Sequence, residues 1–65
     1  MNRSDFLRHL GKHSCSLMKE GGRHSLYRND SRPDLISAVP RHTPLRWNTV
    51  LKICKELGIP KPTSR

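Results

Sequence analysis

Val50, Ile53, Cys54 and Leu57 recur at i, i+3, i+4 and i+7, the spacing that lays one apolar stripe along a helix. The stripe predicts a helix from Thr49 to Leu57, with Asn48 as its cap, Gly58 as its stop and Pro60 as a barrier to continuation. A helix this short does not hold together alone in water, so another element must cover the stripe. With 65 residues in all, the chain can form one small domain with a modest core. A three-stranded sheet read from the residues before Asn48 can bury one face under this helix.

Those residues read as one more helix and three strands. Ser4 is a natural N-cap, Asp5 suits a first turn, and Phe6, Leu7 and Leu10 share a side before Gly11 ends the run. Ser14 to Lys19 alternates as a strand, with Cys15 and Leu17 on one face and Ser14, Ser16 and Met18 on the other. Glu20-Gly21-Gly22-Arg23 is a tight reversal in which glycine would supply positive φ. The returning strand, His24 to Asn29, sets His24, Leu26 and Arg28 against Ser25 and Tyr27. Asn29 to Asp34 is rich in turn residues, Leu35 to Val39 is a third strand closed by Pro40, and Arg41 to Trp47 links to the last helix. The expected fold class is α+β: a three-stranded antiparallel sheet with one face under both helices and the other open. That is the double-stranded-RNA-binding-domain-like architecture. Residues 1–59 form the single domain and 60–65 a loose, flexible tail.

Charge decides which partners suit such a domain. Thirteen Lys and Arg face five acids, a formal net charge of +8. A surplus of that size cannot be paired internally and faces solvent or a polyanion, with nucleic acid the default. An anionic membrane surface and an acidic protein fit the same surplus. No apolar run is long enough for a signal-peptide core or a membrane helix, so a cytoplasmic protein without membrane attachment is expected. Cys15 and Cys54 stand far apart with no Cys-x-x-Cys spacing, which in a reducing cytoplasm makes them buried free thiols. His9, His13, His24 and His42 lack the spacing of zinc sites, so neither metal nor other cofactor is expected.

The chemistry-bearing stretch is Gly21-Gly22-Arg23-His24-Ser25-Leu26-Tyr27-Arg28, followed downstream by Pro40-Arg41-His42. Histidine exchanges protons near neutral pH, and the arginine fork holds phosphate. Two such pairs in so short a chain point to a phosphodiester. RNA carries its own nucleophile, the 2′-OH, so its cleavage needs a base, an acid and cations at the phosphate. His24 is the candidate acid or base, and His42 a second proton carrier or a phosphate donor. Arg23, Arg28 and Arg41, with Lys19, are candidate RNA contacts. Tyr27 stacks on a base if it lies outside the core; a core role is equally open. Trp47 reads as an anchor for the last helix, and His9 and His13 as surface residues.

In the same order along the chain, four segments resemble the HicA toxins, small ribonucleases of bacterial toxin–antitoxin pairs. They are Phe6-Leu7-Arg8-His9-Leu10-Gly11-Lys12-His13, Gly22 to Arg28, Val39-Pro40-Arg41-His42 and Thr49 to Ile59. The resemblance implies an mRNA-cleaving enzyme with His24 at the catalytic histidine position and a HicB-type antitoxin as partner in a hetero-oligomer. Some HicA proteins carry two adjacent histidines at that position; here Ser25 follows His24. The alternative is a non-catalytic RNA-binding module of the same fold. A structural or ribosome-associated basic protein ranks third.

RNA affinity is expected to fall steeply with salt, because Arg23, Arg28 and Arg41 would displace counterions from phosphates. Binding measured from low to physiological salt checks this, and a flat dependence argues for a protein-only partner.

Overall fold

In a computed structural model, described here for residues 1–63, the chain follows the order helix, three strands, helix. Helix α1 spans Arg3–Lys12 and starts two residues earlier than the cap at Ser4 would have it. Asn2 is the cap: its Oδ1 accepts the Ser4 backbone N–H at 2.8 Å and the Ser4 hydroxyl at 2.6 Å. Gly11 stays inside the helix and His13 closes it. Ser14 is not a strand residue; it takes φ 63°, and this single left-handed residue turns the chain from α1 into β1.

Strand β1 (Cys15–Glu20) pairs with β2 (His24–Asn29), which pairs with β3 (Arg32–Pro40), both antiparallel, in the order β1-β2-β3. The Asn29–Asp34 loop of the sequence reading is a much tighter turn, because Asn29 builds it. Its Oδ1 accepts the N–H groups of Ser31 and Arg32 at 2.9 and 3.2 Å, and Asn29 pairs directly with Arg32. Pro33 then falls within β3, which an edge strand tolerates because it needs no donor on its outer side. A register shift between Arg28 and Asn29 absorbs the extra residues.

Helix α2 (Trp47–Leu57) begins before the expected cap at Asn48. Arg46 holds the cap position without a side-chain bond, and Trp47 packs its half-buried ring on the core in the first turn. At the other end Gly58 has φ 68° and its N–H bonds the Lys55 carbonyl, as its position predicted. A Cβ there would come within 2.8 Å of the Leu35 and Arg32 side chains.

Both helices lie on one face of the sheet, α1 toward β1 and α2 toward β3. Phe6, Leu10, Cys15, Val39, Leu45, Val50, Ile53, Cys54 and Leu57 form the core. Leu45, assigned to a linker by the sequence, is buried because its backbone exchanges two bonds with Met1, at 2.7 and 2.8 Å. Cys15 and Cys54 are free thiols; burial pushes both up, Cys54 to about 11. The tail expected from Pro60 onward is docked over its first residues: His9 Nε2 donates to the Pro60 carbonyl at 2.8 Å and Pro62 is buried. The last two residues of that tail lie outside the described residues. Among the described residues no helix is long and apolar enough to cross a membrane.

Asn29 is the most heavily used polar residue of the core. Besides the turn, its Nδ2 donates to the Leu57 carbonyl at 2.8 Å, locking β2 to the end of α2. Asn29→Ala leaves buried groups unpaired and is expected to cost about 1–3 kcal/mol in urea unfolding. A loss within the surface-substitution range of about 0.5 kcal/mol would contradict this role.

Candidate active site

The hairpin between β1 and β2 owes its shape to a close approach. Gly21 N–H donates to the His24 carbonyl at 2.8 Å, and a Cβ on Gly21 would lie 2.8 Å from that same oxygen. The glycines were expected to supply positive φ; among the described residues Gly58 is the one glycine that has it. Room for the His24 carbonyl is what the Gly21 position requires. His24 opens β2 opposite Pro40, and the Arg41 N–H reaches the Arg23 carbonyl at 3.2 Å. The two segments that carry histidine–arginine pairs are thereby held side by side.

Between them lies a cleft of about 500 Å³, lined by Gly22, Arg23, His24, Pro40, Arg41 and His42. A neighbouring depression of about 320 Å³ adds Lys19, Gly21 and Leu26 around the same His24 and Arg23. Arg23, His24, His42 and Lys19 are exposed, so a ligand reaches them without opening the fold. Two imidazoles, able to exchange protons, and cationic side chains, able to hold phosphate, therefore share one surface.

Other predicted residues do not join them in the same way. Arg41 lines the cleft, but its Nη2 is engaged by Glu20 Oε2 at 2.9 Å and the Gly21 carbonyl at 2.6 Å. Arg28 shares the sheet face of His24, yet four residues along a strand at about 3.3 Å each set it about 13 Å away. It forms an ion pair with Asp30 at 3.5 Å, and its buried Nε makes no hydrogen bond. Tyr27 is on the opposite, helix-covered face, half-buried and packed against the core. Its ring is therefore separated from His24 by the sheet.

Beneath the cleft is a polar chain that spacing alone could not reveal. Arg3, in the first turn of α1, donates through Nε to the Pro40 carbonyl at 2.7 Å and through Nη2 to Ser25 Oγ at 3.2 Å. Ser25, almost fully buried, donates its hydroxyl to Glu20, which holds Arg41. The bond from Ser25, with the Arg41 and Arg3 charges, holds the Glu20 carboxyl below the ordinary glutamate value. In sequence Ser25 stands out only as the small polar residue beside His24; its links to Arg3 and Glu20 are tertiary.

Among the described residues no group of three or more His, Cys, Asp or Glu side chains comes together as a metal site. No family model matches this chain, and no curated protein or solved structure matches it.

Because the folded-state pKa of Glu20 is lowered, the carboxylate bonds are fully formed at neutral pH and are lost as pH falls through that lowered value. An NMR titration of the Glu20 side chain should show its midpoint moving up toward the ordinary glutamate value in Ser25→Ala. An unchanged midpoint in that variant would mean that the Ser25 bond does not hold the carboxylate.

Proposed function

We propose that this chain is a ribonuclease of the HicA toxin kind, with a double-stranded-RNA-binding-domain-like fold and His24 as its essential acid–base group. The observation that carries the reading is the shared cleft: His24 and His42 line one open, shallow cleft together with Arg23 and Arg41. Acid–base cleavage of a phosphodiester calls for such a pairing of titratable rings and cations on one surface.

In the reaction, an imidazole takes the proton of the ribose 2′-OH and O2′ attacks the adjacent phosphorus. The P–O2′ bond forms, and charge on the phosphorane oxygens is offset by Arg23, with the remaining donors of Arg41 nearby. The P–O5′ bond then breaks, and the departing O5′ receives a proton from the second proton carrier. His24 takes one of these roles and His42 the other. The products are a 2′,3′-cyclic phosphate, or the 3′-phosphate that follows its hydrolysis, and a 5′-hydroxyl. The 2′-OH supplies the nucleophile, so this route does not require a metal ion.

The reading brings a partner with it. Leu26, Ile36 and Ala38 sit on the open face of the sheet, Met18 and Ile36 are more than two-fifths exposed, and basic side chains flank them. An acidic antitoxin of the HicB kind suits such a surface, since complementary charge both speeds and orients docking.

His24→Ala is expected to abolish measurable cleavage of single-stranded RNA, a loss of about 10²–10⁴-fold, while the far-UV spectrum and unfolding midpoint stay unchanged. His42→Ala should lose less. Full activity in His24→Ala, or cleavage of a substrate with 2′-deoxyribose at the scissile position, would overturn the mechanism. RNA binding with no cleavage by the unaltered chain would favour the non-catalytic module.

A further inference from the structure

His24 also stands at the end of a groove of about 390 Å³ that runs along the outer edge of β3 against α2. Ile36, Ala38 and Pro40 form its strand wall, and Thr49, Lys52 and Glu56 its helix wall. β3 is an edge strand, so backbone groups on this side pair with no other strand. Ser37, only 4% exposed, donates its hydroxyl to Glu56 Oε1 at 2.6 Å. That bond fixes the carboxylate in the groove and leaves Oε2 and the spare lone pair of Oε1 able to accept. Three of the five acids, Asp5, Glu20 and Asp30, are paired with Arg8, Arg41 and Arg28. Glu56 has no cation within ion-pair distance among the described residues; a buried serine orients it instead.

A carboxylate is a poor neighbour for phosphate and a good acceptor for N–H donors. We propose that this groove is a nucleobase subsite beside the cleft and that Glu56 selects guanine there. Guanine presents N1–H and N2–H₂ side by side, a match for two carboxylate oxygens, whereas the other three bases offer only one such donor group on that edge. The β3 edge at Ile36, Ala38 and Pro40 forms the opposite side of the base's seat. Lys52, one turn before Glu56 on the same side of α2, takes the neighbouring phosphate. The position of the subsite next to a scissile phosphate rests on the ribonuclease reading of His24; base selection by Glu56 does not.

The test is an NMR titration of the full chain with 5′-GMP and, separately, with 5′-UMP, followed at the amides of Ile36, Thr49, Lys52 and Glu56. GMP should bind about tenfold more tightly than UMP, within the range of one bidentate base contact. Glu56→Gln keeps the size of the side chain and its bond from Ser37 but converts one acceptor into a donor. It should bring the two nucleotides to equal affinity with the rest of the amide spectrum unchanged. Equal binding by the unaltered chain, a preference that survives in Glu56→Gln, or shifts confined to other surfaces would each overturn the subsite. A guanine preference in the groove of a chain that cleaves no RNA would sustain the subsite while the ribonuclease reading fails.

Discussion

Arg3 joins parts of the chain that lie far apart in sequence, and the arrangement of the cleft depends on it. One guanidinium bonds the exit of β3 at Pro40 and the start of β2 at Ser25, while the Arg3 backbone N–H reaches Thr43 Oγ1 at 3.3 Å. From Ser25 the chain of bonds continues through Glu20 to Arg41 and the Gly21 carbonyl. Each bond is of ordinary strength, but polar networks that are satisfied throughout hold a geometry better than isolated pairs. The hairpin carrying His24 and the segment carrying His42 are thus tied to a common base on α1.

Glu20 belongs to this network, and two further acids of this strongly basic chain are paired with arginines elsewhere. Acids are few and are placed where arginines would otherwise repel: Asp5 beside Arg8, Glu20 beside Arg41, Asp30 beside Arg28. These pairs are substantially exposed and contribute little to stability individually. Their effect is local, since each holds one guanidinium beside its carboxylate. Arg23 and Lys19, outside these pairs, border the His24 surface.

Much of the fold was legible because burial imposes periodicity. Val50, Ile53, Cys54 and Leu57 face the core as their spacing requires, and Gly58 ends the helix in the left-handed conformation. What was not legible depended on partners remote in sequence. Asn29 reads as a turn residue, which it is, but its bond to Leu57 is a tertiary fact. Leu45 looks like part of a linker until Met1 pairs with it. For the site, the histidine–arginine pairs were visible as motifs and their shared cleft follows from antiparallel pairing of His24 with Pro40. The engagement of Arg41 by Glu20, the core-facing position of Tyr27 and the Ser37–Glu56 bond all needed the packed helices.

Whether a phosphodiester of RNA occupies the cleft is the central question. The most direct measurement is the histidine side-chain NMR spectrum of the chain titrated with a short RNA that carries one 2′-deoxyribose and so cannot be cut there. The account predicts that the ring signals of His24 and His42 shift together, with His9 and His13 unmoved. Shifts at His9 and His13 with His24 unperturbed would contradict it.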